Sequence, residues 1–305
     1  MFRFILFLIL LSIFSHAFSE PKVMVTIKPI HALVIDIMQS VDTPQLLLSS
    51  HETPHHYSLK PSQARQLHHV QLVIWIGPQV EGFMQKILLT LEENIEIIQL
   101  SNIEGLTLLP VRRGKDWENQ HTHDFHKHVD EHVVNDPHIW LDPHNAKVIA
   151  QHISQKLQQI DKQHASIYQQ NTARLLQQLD KLDSQLQQQL ASVKNLPFLV
   201  FHDAYHYFEH RYGLNVVGVI NLSPETMPSP KHLSQLHSLI KQKQVVCVFS
   251  EPQFQSTLVN TITKGTQAKQ AVLDPLGTEL GEDGSYFALL SQLGSSIKGC
   301  LAEVD

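Results

Sequence analysis

The stretch HTHDFHKHVDEHVVNDPHIWLDPHNA, residues 121–146, holds seven histidines in twenty-six positions. Neutral imidazole nitrogen is a common ligand for zinc, copper, nickel and iron, so the chemistry such a stretch suggests is metal binding. Density does not say which of these rings is held in place. In a doubly wound sheet, ligands sit at the carboxyl ends of the strands. Histidines and carboxylates just beyond a strand-like run form a short list. His55 lies in SSHETPHHYSLKPS after the run QLLL, His202 follows LVF in LVFHDAY, and Asp274 ends the run in AVLDPLG. His138, in NDPHIWLDP, stands where the histidine-rich stretch gives way to regular patterning. Three imidazoles and one carboxylate, two groups from each half of the chain, are thus candidates to converge on one ion. His121, His123, His126, His128 and His132 are candidates for weaker, auxiliary metal binding, because a loop loses ordering entropy when it chelates.

The elements that must position these groups are legible as alternating patterns. KVMVTI (22–27), QLLL (45–48), LVIWI (72–76) and IEIIQL (95–100) read as strands. Helical spacing occupies 29–40, 61–70 and 80–93 between them. The rhythm returns in FLVF (198–201), NVVGV (215–219), VVCVF (245–249) and QAVL (270–273). Such alternation predicts βαβ units. The expected fold is therefore α/β: two lobes, each a mainly parallel sheet flanked by helices, with the metal site in the cleft between them. From Asp161 to Lys194 there is neither Pro nor Gly, and Leu175, Leu179, Leu182, Leu186, Leu190 and Val193 form one helical stripe. Only about two and a half heptads are sustained, too few for a long coiled coil. The segment reads instead as one helix of roughly 50 Å bridging both lobes. The domain plan is residues 20–160 as an N-terminal lobe, with a histidine-rich insertion at about 112–135, then the bridge at 161–194 and a C-terminal lobe at 195–305.

Composition narrows the function classes. Twenty-nine acidic residues against twenty-three basic ones, with no basic cluster, argue against a nucleic-acid partner. The opening MFRFILFLILLSIFSHAFSE has a basic residue, an apolar run from Phe4 to Phe14 and small residues before Ser19. That is the pattern of a signal peptide cleaved near Ser19, and it places the mature chain outside the cytoplasm. In an oxidising compartment the two cysteines, Cys247 and Cys300, are expected to form a disulfide. Its loop of about fifty residues is worth roughly 4 kcal/mol in the chain-entropy description.

The motifs PHHYSLKPS, DPHIWLDP, FHDAYHYF, CVFSEPQF and LDPLGTEL resemble, in order and over nearly the whole mature chain, those of the zinc-specific substrate-binding proteins of ABC transporters, the ZnuA type. The histidine-rich insertion is also similar to that family's. The resemblance implies a periplasmic zinc receptor that is not an enzyme and delivers Zn2+ to a membrane permease; a monomer is expected. Carried over by motif, the ligands are His55, His138 and His202, with Asp274 as a fourth ligand or a neighbour of the shell. Some relatives place a glutamate before the first histidine, where this chain has Pro54. Manganese-binding relatives carry a glutamate where His202 stands, and an all-imidazole shell favours zinc over manganese. A receptor for manganese or another divalent ion is the alternative. More distant is a zinc hydrolase, suggested by the i, i+4 histidines of HDAYH (202–206). Because binding needs neutral imidazoles, affinity is expected to fall as pH drops through about 6.5.

Overall fold

The computed structural model describes residues 20–49, 52–112, 134–221, 228–254, 257–281 and 284–302. The expected signal peptide therefore lies outside the described residues. So do His121, His123, His126, His128 and His132.

The N-terminal half contains β1 (Val23–Val25), α1 (Lys28–Met38), β2 (Gln45–Leu46), α2 (Pro61–Leu67), β3 (Leu72–Trp75), α3 (Met84–Leu88) and β4 (Glu96–Gln99). Its four strands pair in parallel in the order β2-β1-β3-β4. The central strands β1 and β3 are buried along their whole length. That explains why their sequences are continuous apolar runs, as a sheet covered on both faces requires. Then come α4 (Pro143–Ile160) and the long α5 (Ala165–Leu190). The C-terminal half follows with β5 (Phe198–Val200), α6 (His206–Tyr212), β6 (Val216–Val219), α7 (Pro230–Gln242), β7 (Cys247–Ser250), α8 (Thr257–Thr263), β8 (Lys269–Val272) and α9 (Tyr286–Leu301). Its sheet is again parallel, in the order β6-β5-β7-β8, which repeats the order of the first.

Helix α5 buries Leu175, Leu179, Leu182, Leu186 and Leu190 on one side. It packs on α1 and α4 of the first half and on α9 of the second. Near its start Asn171 donates to the carbonyls of Ile37 and Gln39 (3.0 and 2.8 Å), which closes the end of α1. Near its other end it passes so close to α9 that a Cβ at Gly294 would meet Leu186 at 2.5 Å. A disulfide joins Cys247, the first residue of β7, to Cys300 in the last turn of α9, with the Cα atoms 6.1 Å apart. It ties the last helix to a central strand.

One helix is shorter than its pattern. Residues 80–93 have helical spacing, yet only Met84–Leu88 is regular. The Glu81 carboxylate folds back onto the backbone N–H groups of Ile76 and Gly77 (2.8 and 3.0 Å), winding the preceding residues into turns. At the other end Thr90 returns both its N–H and its hydroxyl to the carbonyl of Ile87 (2.9 and 2.7 Å). No helix among the described residues is long and apolar enough to cross a membrane.

Candidate metal centre

His55 is carried on a short turn after β2. Thr53 caps this turn by accepting from the His55 N–H (3.4 Å), and Pro54 supplies the fixed φ of its first residue. His138 precedes the 3-10 turn Ile139–Leu141, after which Asp142 caps α4 by accepting from the His144 N–H (2.8 Å). His202 lies two residues beyond the end of β5, the carboxyl-end position that the sheet geometry favours. One ligand atom from each of the three rings lies within 4.8 Å of the others. Ring centroids are 5.7 Å (His55–His138), 5.9 Å (His55–His202) and 5.3 Å (His138–His202) apart. Tetrahedral zinc with Zn–N of about 2.0–2.1 Å needs N···N edges of about 3.3 Å, so small side-chain shifts close the cage.

Two of the rings are braced by carboxylates. Asp136 Oδ1 accepts from both the backbone N–H (2.9 Å) and Nδ1 (2.8 Å) of His138. Glu251 Oε1 accepts from Nδ1 of His202 (2.7 Å). Each bond fixes the tautomer with the proton on Nδ1 and leaves Nε2 bare, as a metal-ligating histidine requires. Nε2 of His138 and Nε2 of His202 are buried and have no hydrogen-bond partner among the described residues. Their residues are only 7% and 5% exposed. A buried acceptor without a partner is costly, and a cation bound there removes the cost. The rings line a cavity of about 20 Å³, bounded also by Thr53, Trp140, Phe254, Pro275 and Leu276. That is room for one ion and little else.

The electrostatics divide the rings. Burial, reinforced by the neighbouring imidazoles of His138 and His202, pushes His55 down to about 3, so it stays neutral at any physiological pH. For His202 burial also acts downward, but the Glu251 carboxylate against its ring outweighs it and the net shift is upward. Asp136 is buried yet is held well below the usual carboxylate range, chiefly by the charge and hydrogen bonds of His138 and by His206.

Of the four residues expected at the ion, the structure brings together His55, His138 and His202 and leaves Asp274 outside the group. Both Asp274 oxygens are spent on the turn that follows it, where they accept from Leu276, Gly277, Thr278 and Glu279. His56, beside the first ligand, is exposed. HDAYH does not form a peptidase helix. His202 precedes α6, which begins only at His206, and Asp203 is engaged by the guanidinium of Arg112. His232 and His237 pin α7 through ring bonds to the carbonyls of Ile220 (3.1 Å) and Ile262 (2.9 Å). Asp136 and Glu251 were not singled out from sequence. The signal was present, since Glu251 follows β7 directly and Asp136 stands two residues before a candidate ligand.

Two α/β lobes of equal topology, one long helix packed on both, and a three-imidazole cluster drawn from both lobes define a two-lobed metal receptor. The chain belongs to the ZnuA family, the periplasmic component A of the zinc-uptake complex, whose family model matches residues 23–300. It is 39% identical over 316 residues to the high-affinity zinc uptake system protein ZnuA of Brucella suis, covering 95% of this chain and 94% of that one. A crystal structure of ZnuA superposes with a TM-score of 0.79 at 26% identity, covering 93% of this chain and all of that one. A ZnuA deletion mutant crystallised with zinc bound superposes at 0.77 and 25% identity, covering 94% of this chain and 100% of that one.

Proposed function

We propose that this protein is the extracytoplasmic receptor of a zinc importer: it takes up one Zn2+ between its lobes, on His55, His138 and His202, and delivers it to the membrane permease of an ABC transporter. The observation that carries this reading is the convergence with the ring of His55 of two buried Nε2 atoms that have no partner among the described residues and are each oriented by a carboxylate. Imidazole nitrogen suits zinc better than manganese, and the three ligand atoms that converge here are all imidazole, while Glu251, which also lines the cavity, holds Nδ1 of His202 through Oε1. A water molecule supplies the fourth position, because the oxygens of Asp274 are already committed. His121, His123, His126, His128 and His132 add weaker sites that gather zinc for the tight one.

Calorimetric titration tests both halves of this reading. Deleting residues 115–133 should leave one tight zinc per chain and remove any weaker equivalents. With that segment intact, His138→Ala should abolish the tight equivalent. The reverse pattern would move the tight site into the histidine-rich segment.

A further inference from the structure

The turn from Pro275 to Gly281 supplies no ligand, yet it is densely tied. Asp274 is 6% exposed and works entirely inward. Its Oδ1 accepts from the N–H groups of Leu276 (3.1 Å) and Gly277 (3.0 Å), and from Gln253 Nε2 at 3.4 Å. Its Oδ2 accepts from the Thr278 hydroxyl (2.8 Å) and the Glu279 N–H (3.1 Å). The turn needs left-handed backbone at Gly277 (φ 68°) and Gly281 (φ 70°), which glycine supplies without strain.

The outer side of the same turn is gripped from the other lobe. Trp140 Nε1 donates to the Pro275 carbonyl (2.8 Å). Lys28 Nζ donates to the carbonyl of Gly277 (2.6 Å) and to that of Gly281. Lys28 is 7% exposed and stands at the first position of α1, where the helix dipole disfavours a cation. Carbonyl oxygens from the opposite lobe offset that cost, so Lys28 depends on the turn being in place. Pro275 and Leu276 wall the cavity, and the Trp140 ring lies 5.2 Å from the ring of His138. A displaced turn would open the wall and loosen the backing of a ligand together.

We propose that Asp274 and Lys28 are positioning residues: Asp274 winds the 275–281 turn from within, Lys28 fastens it from the opposite lobe, and together they set how fast the bound ion leaves. The proposal rests on the three-imidazole reading and deepens it. Within one site, affinity differences reside mostly in the dissociation rate.

The test uses the full chain loaded with one equivalent of zinc, or of cobalt(II) as a spectroscopic probe. Zinc release into excess chelator is followed for wild type, Asp274→Asn, Lys28→Met, the double variant and Asn171→Ala. The last loosens α5 from α1, far from the turn. Each of the first two variants should speed release by roughly tenfold, the scale of one charge-assisted hydrogen bond. The double variant should fall short of the product of the two, since both act through one turn. Asn171→Ala should lower the melting temperature with release as in wild type, and the cobalt absorption bands should be the same in all variants.

Altered bands in Asp274→Asn would make Asp274 a ligand and overturn the proposal. So would wild-type release rates in Asp274→Asn and Lys28→Met, or equal acceleration by Asn171→Ala. If Asp274→Asn does not fold, Lys28→Met alone decides. Wild-type stoichiometry tests the underlying reading separately: a chain that takes up no single tight zinc refutes the three-imidazole cage itself.

Discussion

The two lobes share one strand order, and at matching places they carry the same small device with different consequences. In the first lobe Thr26, directly after β1, donates its hydroxyl to Glu81, a buried carboxylate in the turns beyond β3. In the second, His202, just beyond β5, donates Nδ1–H to Glu251, a buried carboxylate directly after β7. Strands β1 and β5 hold the same place in their sheets, as do β3 and β7. Both pairs therefore sit at the carboxyl ends of adjacent central strands. Thr26 ends at its hydroxyl, so the first pair closes on itself and only shapes the fold. His202 has a second nitrogen beyond the one that Glu251 holds, and that nitrogen faces the cavity. The fold supplies a braced position twice, and the side chain standing in it decides whether that position reaches an ion.

The sharpest way to break this comparison is to remove the two donors. His202→Ala should lower zinc affinity by more than about a hundredfold, since it deletes a ligand rather than a ligand's brace. Thr26→Ala should leave affinity as in wild type. Equal losses from the two, measured by competition with a chelator of known affinity, would mean that the lobes do not divide in this way.

Exchanging the carboxylates for amides sharpens the contrast. Glu251→Gln and Asp136→Asn should each weaken zinc about 10–100-fold, the usual cost of losing a partner that orients a ligating histidine. Glu81→Gln should not change zinc affinity but should change the pH dependence of stability. Burial raises Glu81 from the ordinary 4.5 to about 7, against the bonds from Thr26, Gly77 and Ile76. A raised carboxyl favours the fold most when protonated, below the unfolded pKa of 4.5. Its contribution declines as pH climbs to about 7 and is level beyond. The amide does not titrate, and its oxygen can accept from Ile76 and Gly77 while its nitrogen donates to Thr26. Its stability advantage over wild type should grow across that window to an amount on the order of 3 kcal/mol. Denaturant unfolding at several pH values measures it, and parallel curves for the two proteins would contradict it.

The smallest effect concerns protons released on binding. His55 is held near 3, so it has no proton to lose near neutrality. His202 is raised, so its Nε2 proton begins to compete with zinc at a higher pH than the ordinary 6.5. The expected onset of affinity loss thus moves upward from the value read off an unperturbed imidazole. The slope of log affinity against pH should stay at or below two between about pH 5 and 7, rather than the three of independent rings. A slope of three would show that His55 titrates with the others.

What was legible in the sequence follows the same division. The buried strands announce themselves as apolar runs, and α5 as a stripe of leucines, because burial on a period leaves a periodic mark. His55 and His202 stood out because they follow strand-like runs, where such sheets hold ligands, and His138 because it stands in DPHIWLDP at the exit of the histidine-rich stretch. The truncation of the 80–93 helix was not legible, since it depends on the Glu81 side chain folding back onto Ile76 and Gly77. The inward commitment of Asp274 was hidden for a similar reason. Its position after β8 matches that of a ligand, and only three-dimensional bonding shows both oxygens taken. Asp136 and Glu251 act on other side chains rather than on the ion, a relation that spacing along the chain does not encode.

The central claim is that one ion is held by three imidazoles drawn from both lobes, with no carboxylate from Asp274. X-ray absorption at the zinc edge, on protein carrying one equivalent, addresses it directly. The account predicts three imidazole nitrogens at about 2.0–2.1 Å with a single additional light atom from water, and the same spectrum for Asp274→Asn. Fewer than three imidazoles, or a spectrum that changes in Asp274→Asn, would contradict it.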